Sequence, residues 1–141
     1  MEDSNRVFNI QRASNSIDNK LVLPGETFSF NSTTGPRSLK AGYKEATVIM
    51  NGEFVPGEGG GVCQVSSTLY NTLLDSKISI VERHSHSLPI SYVPPNKDAT
   101  VAFNVLDLKF KNNYNSPVYI KSSVAGDTLI ITLYGNKSEK Q

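Results

Sequence analysis

Val7, Ile10, Ala13 or Ser14, and Ile17 recur three to four positions apart, the spacing of one helix face, and Ser4 or Asn5 stands where a cap belongs; the pattern predicts a helix over 6–19. Pro24-Gly25 marks a turn, after which Phe28 and Phe30 fall on one side of a short strand over 26–30. Gly35-Pro36 breaks the chain again. Extended runs over 46–50 and 53–56 flank Asn51-Gly52, a dipeptide suited to the positive φ of a hairpin turn. Beyond Gly57-Glu58-Gly59-Gly60-Gly61, the residues Val62, Val65, Leu69 and Leu73 return to helical spacing and predict a second helix through Ser76. The remainder reads as strands over 78–83, 88–92, 99–103, 106–111, 118–123 and 128–134, with Ala125-Gly126-Asp127 turning between the last two. Val118 and Ile120, and Leu129, Ile131 and Leu133, alternate as half-buried strands do. The expected fold is α+β: two main helices packed on a mostly antiparallel sheet, with a cysteine at the N-terminus of the second helix.

Neither a repeat nor a linker divides the chain, and its 141 residues suit one domain over 1–141, with a core at about 6–135 and frayed polar ends. Hydrophobic residues make up 38%, enough for a core at this length. Lys and Arg number 14 against 13 Asp and Glu, a net charge of +1, without the basic excess that nucleic-acid or nonspecific membrane-surface binding demands. Apolar runs fall well short of the roughly 20 residues of a membrane span, so this domain is not expected to insert into a bilayer. The chain opens Met1-Glu2-Asp3-Ser4, acidic and polar, unlike a signal peptide. That start suits a cytosolic protein or a domain of a longer exported one.

The sequence holds one cysteine, which excludes an intramolecular disulfide and an all-cysteine zinc site. Cys63 follows Gly59-Gly60-Gly61 directly and sits just inside the predicted helix. Helix N-termini favour thiolate over thiol, and bare glycine backbone leaves N–H groups open to an oxyanion. A buried structural thiol is the alternative. A thiol nucleophile needs a base, and the two histidines lie together in Arg83-His84-Ser85-His86-Ser87; in extended chain both rings share one face. Asp98 or Asp107 is placed to orient the ring. Ser66 and Ser67 fall near the helical face of Cys63, to bond substrate or their own helix backbone. Gln64 can donate to an oxyanion, and Arg83 can take a substrate carboxylate in its fork. Cys63, His84 and His86 would alternatively make a three-ligand zinc site with one open position. The glycine run lacks the Lys-Ser/Thr ending of a phosphate loop, and no cofactor is expected.

The run Gly59-Gly60-Gly61-Val62-Cys63-Gln64-Val65-Ser66-Ser67-Thr68-Leu69-Tyr70-Asn71 resembles the signature of the VanW family. Leu23-Pro24-Gly25-Glu26-Thr27-Phe28-Ser29-Phe30-Asn31 resembles its upstream block. Glu82-Arg83-His84-Ser85-His86-Ser87, Tyr92-Val93-Pro94-Pro95 and Asp98-Ala99-Thr100-Val101 resemble its downstream blocks, so the likeness covers about residues 6–135. The resemblance implies an extracytoplasmic protein of the Gram-positive cell envelope that acts on or near peptidoglycan, in a family named for a glycopeptide-resistance accessory protein. Some members are described as L,D-transpeptidases with a cysteine nucleophile. On this expectation Cys63, His86 and Asp98 are catalytic, with Asp107 as the alternative orienter. The substrate and oxyanion contacts are Gly60, Gly61, Gln64, Ser66, Ser67, Arg83, His84 and Tyr92, and the partners are peptidoglycan stem peptides. A non-catalytic wall-binding module and a cysteine or zinc hydrolase are the other expectations. Asn96 stands where the family pattern leads one to expect a glycine nearby, a change that would displace Asp98.

Overall fold

The structure, a computed structural model, describes residues 4–50, 52–86, 93–94, 96–126 and 128–135, with Met50 described by its backbone alone. The strand predicted over 88–92, and Tyr92 with it, lies outside the described residues, as do Asn51 and Asp127 of the hairpin turns.

Helix α1 (Ser4–Ile17) buries Ile10, Ala13, Ser14 and Ile17, the stripe that its periodicity marked. It stops short of the predicted end because Asn19 turns left-handed (φ 64) and gives its N–H to the Ile120 carbonyl. The chain then enters β1 (Lys20–Val22), too short to show a pattern. Strand β2 (Thr27–Ser29) runs directly into a short helix, α2 (Phe30–Thr34). Its cap explains why the predicted strand ends early: Ser29 Oγ accepts from the Ser32 N–H at 3.1 Å, and Asp107 Oδ1 accepts from the Asn31 N–H at 2.8 Å. Strands β3 (Glu45–Met50) and β4 (Glu53–Glu58) form the predicted hairpin. Helix α3 (Val62–Ser76) follows, with Val65, Leu69 and Leu73 fully buried. Each such side chain stabilises the fold by about 1.5–3 kcal/mol.

The remaining strands are β5 (Ser79–Glu82), β6 (Lys109–Lys111), β7 (Val118–Ala125) and β8 (Thr128–Tyr134). All strand pairings among the described residues are antiparallel, in the orders β1-β7-β8, β2-β6-β5 and β3-β4. The fold is therefore α+β, with the expected single sheet replaced by three small ones. Helix α1 packs on β7, α3 on β8, and the two helices on each other. Phe28 stacks on Phe110 at 5.1 Å between centroids, joining the second sheet to the core.

Residues 99–103 form no strand beyond an isolated bridge between Ala102 and Leu106. Side chains of α3 take the backbone groups of Ala99 and Val101, while the Thr100 N–H donates to the His84 carbonyl and the Ala102 N–H to the Leu106 carbonyl. Ser67 Oγ accepts from the Ala99 N–H at 2.8 Å, and Ser66 Oγ donates to the Ala99 carbonyl at 2.5 Å. None of the helices is long and apolar enough to cross a membrane, among the described residues.

Candidate functional site

Gly59, Gly60 and Gly61 lead into α3 through a turn that only small residues fit. A Cβ on Gly60 would lie 2.5 Å from the Ala46 carbonyl carbon and 2.6 Å from its oxygen, so strand β3 closes that position to any side chain. Gly61, the N-cap, sits at φ 107, a backbone region that side chains rarely adopt. The buried Asn9 fixes the turn to α1: its Nδ2 donates to the Gly60 carbonyl at 2.9 Å and to the Lys44 carbonyl at 2.8 Å. Cys63 is thus the second residue of α3. The Gln64 N–H bonds back to the Gly61 carbonyl, whereas the Cys63 N–H has no acceptor among the described residues.

Around the partly buried thiol, the segment after Asp98 supplies three contacts. Thr100 Oγ1 lies 3.6 Å from Cys63 Sγ, the Val101 N–H donates to the sulfur at 3.5 Å, and the thiol reaches the Val101 carbonyl at 3.6 Å. Composition and spacing gave Thr100 and Val101 no chemical signal. On one side His86 shares the cavity wall with Cys63 and is close enough to lower the thiol pKa. On the other, its Nδ1 meets Asp98 Oδ2 at 2.7 Å, and the same oxygen accepts the His86 backbone N–H at 2.5 Å. The His86 and Asp98 side chains are only 6% and 10% exposed, so water screens this pair weakly.

The electrostatics follow from the contacts. Burial pushes the Cys63 thiol up, but hydrogen bonds with His86, Val101 and Thr100, together with the His86 charge, bring it below its ordinary value. Burial pushes His86 down, and its bonds to Cys63 and Asp98 overcome that and raise it. Burial pushes Asp98 up, and the His86 N–H, the His86 ring and its own N–H hold it below the usual carboxylate range. The three directions together favour a thiolate–imidazolium pair backed by a carboxylate.

Other expected site residues lie elsewhere. The His84 ring bonds Glu82 at 2.9 Å and is absent from the cavity lining, so His84 does not join Cys63 and His86. No group of three metal-binding side chains converges among the described residues. Asp107 is spent on α2: it takes Ser29 Oγ at 2.5 Å and the Asn31 N–H, well removed from His86 in its bonding. Ser66 and Ser67 are fully buried and occupied with Ala99, so they tie the Asp98 segment to α3 and present nothing to a substrate. Arg83 lies behind Asp98, with Nε on its carbonyl at 2.8 Å, Nη2 at 3.4 Å from Oδ1, and its guanidinium 4.7 Å from the Tyr70 ring. Asn96 takes the left-handed conformation itself, at φ 67, as a turn glycine would.

Cys63 and His86 open into a cavity of about 630 Å³, lined also by Gly59–Gly61, Gln64, Thr100 and Val101. Arg6 Nη2 donates to Gln64 Oε1 at 2.6 Å, which fixes the carboxamide and turns its NH₂ group away from that bond. Arg37, which no sequence pattern singled out, lines the same cavity.

A family model described as VanW like protein matches residues 5–134. The chain is 46% identical over 134 residues to the uncharacterized protein YoaR of Bacillus subtilis strain 168, a match covering 95% of this chain and 44% of YoaR. It is 29% identical over 139 residues to the vancomycin B-type resistance protein VanW of Enterococcus faecalis strain V583, covering 94% of this chain and 50% of that protein. The chain thus spans about half the length of these relatives. No solved structure matches it.

Proposed function

The chain belongs to the VanW family, and from that premise we propose that it is a cysteine acyl-transferase acting on peptidoglycan stem peptides at the cell envelope. The observation that carries the reading is the series Cys63–His86–Asp98 at the wall of an open cavity, with Asp98 hydrogen-bonded to the ring that acts on the thiol. Its members come from the start of α3, the segment after β5 and the segment after Asn96, an arrangement with a ready use in nucleophilic catalysis.

The Cys63 thiolate attacks an amide carbonyl of the donor stem, forming a carbon–sulfur bond and an oxyanion. The Cys63 N–H and the Gln64 carboxamide stabilise that oxyanion. The protonated His86 ring gives its proton to the amide nitrogen, the carbon–nitrogen bond breaks, and the amine leaves from a thioester. An amine of a second stem then attacks the thioester while His86 takes up its proton, and the thiolate departs. Water in place of the amine gives hydrolysis. Asp98 keeps Nδ1 protonated and the ring turned towards sulfur. The name of the Enterococcus relative supports a setting in the response to vancomycin.

Incubation with a disaccharide-tetrapeptide, followed by mass spectrometry, tests the reading. Cross-linked dimers or a shortened stem are expected from the wild type and neither from Cys63→Ala. Identical products from both proteins would refute catalysis by Cys63 and favour a wall-binding module.

A further inference from the structure

The cavity beside Cys63 holds a guanidinium with an unfilled edge. Arg37 Nη1 donates to Thr34 Oγ1 and to the Gly35 carbonyl, both at 3.0 Å, which anchors the head group from one side. Its Nε and Nη2 have no acceptor among the described residues, and no carboxylate lies within ion-pair distance of it there. That free edge is the fork that receives a carboxylate through two parallel hydrogen bonds. The nearby acids are otherwise engaged: Glu58, on the same cavity, accepts from the Leu39 N–H at 3.1 Å, and Asp107 caps α2.

The site is built to hold this side chain. A Cβ on Gly59 would lie 2.6 Å from Arg37 Cβ and 2.8 Å from its carbonyl oxygen, so the glycine before the Cys63 turn makes room for the arginine. The Phe103 ring centroid is 5.8 Å from the guanidinium carbon, a cation–π contact that limits its swing. Burial depresses the Arg37 pKa, and among the charges that offset it Cys63 ranks first, ahead of Tyr43 and Asp107. The guanidinium and the thiolate therefore share one field.

We propose that Arg37 forms a carboxylate-binding subsite beside Cys63 and selects acyl donors that carry a carboxylate next to the bond that breaks. The proposal rests on the acyl-transfer reading for its substrate and on the Arg37 fork for its chemistry. The carboxylate belongs to the leaving amine: an amino acid at the free end of the donor stem, released with its carboxylate still in the fork once His86 has protonated its nitrogen. Arg83, the arginine that the sequence offered for such a contact, is already committed to Asp98 and Tyr70.

Alkylation of Cys63 by iodoacetate and by iodoacetamide tests the subsite without a peptide. In each reaction the thiolate displaces iodide and a thioether forms; only the first reagent carries a carboxylate. Any change in thiol pKa affects both reagents alike and cancels in the rate ratio. The ratio of iodoacetate to iodoacetamide rates should fall about tenfold in Arg37→Gln, the scale of one charge-assisted contact, and recover in part in Arg37→Lys. An unchanged ratio in Arg37→Gln overturns the proposal. A second arm compares binding of N-acetyl-alanine and its amide to Cys63→Ala by NMR; the acid should bind more tightly, and Arg37→Gln should erase the difference. Equal binding of acid and amide overturns the subsite. If the thiol is inert to both reagents, the acyl-transfer reading fails, and the second arm alone decides the subsite.

Discussion

Asp98→Asn removes one charge and almost no volume, so it isolates the carboxylate's part in the relay. Oδ2 accepts both from the His86 backbone N–H at 2.5 Å and from ring Nδ1 at 2.7 Å, while Oδ1 faces Arg83 Nη2 at 3.4 Å. Asparagine offers one oxygen and one NH₂ group. Whichever way the amide turns, a donor meets a donor, at His86 or at Arg83. A hydrogen bond to a charged partner is worth about 1.5–3 kcal/mol, which corresponds to roughly one to two pKa units on the ring. The thiol lies below 9.0 through its bonds and its charge pairing with His86, so it rises as the ring loses basicity. Below the thiol pKa, alkylation follows the thiolate fraction. On the acid limb of the profile the iodoacetamide rate should therefore fall about ten- to a hundredfold in Asp98→Asn, as that limb is displaced upward. Second-order rate constants measured across pH, beside a thermal melt to show that the variant is folded, provide the comparison. A folded variant whose acid limb stays where the wild type has it would refute the idea that Asp98 supports the ion pair.

The other expectations concern the frame around the relay. Gly60→Ala drives a Cβ into the Ala46 backbone and should cost about 3 kcal/mol or more, read as a large loss of melting temperature; a near-native melt would contradict the packing argument. Ser67→Ala leaves the buried Ala99 N–H without its acceptor and should destabilise by about 1–3 kcal/mol in urea unfolding, so an unchanged midpoint would remove the serine from the account. Arg6→Ala releases the Gln64 carboxamide and should lower kcat about tenfold with little change in KM; a change confined to KM would place Gln64 in substrate binding instead. Asp98 titrates below 3.8 in the folded chain, so its stabilisation is complete above pH 3.8 and drains as pH falls through the lowered native value. Unfolding free energy should thus decline less steeply with acid in Asp98→Asn than in the wild type, and parallel declines would argue against the shift.

Elements that depend on their own residues were legible in the sequence. Val65, Leu69 and Leu73 repeat on one face, and α3 buries all three. The hairpin of β3 and β4 follows from two extended runs around a turn dipeptide. Elements that depend on distant partners were misread. Residues 99–103 carry β-forming side chains, yet hydroxyls on α3 take the Ala99 N–H and carbonyl and the Cys63 sulfur takes the Val101 N–H, so no strand pairs there. Helix α2 is five residues long, too short for periodicity, and part of its cap arrives from Asp107, far along the chain.

The same division runs through the site. A glycine-flanked cysteine, two histidines and two aspartates can be picked out by residue type, because there are so few of each in plausible places. Which histidine faces the thiol depends on the partner of the other: Glu82, two residues before His84, takes that ring, and His86 is left to Asp98 and Cys63. The choice between the aspartates likewise depends on what else needs an acceptor, and α2 needs Asp107. The arginines exchange parts for the same reason. Arg83 neighbours the histidines in sequence, but Asp98 and Tyr70 bind it before any substrate can. Arg37 has no chemical neighbours in sequence, and lines the cavity of Cys63 because Gly59 lets its stem pass. Residue type names the groups that can do chemistry; competition for hydrogen-bond partners decides which of them are left free to do it.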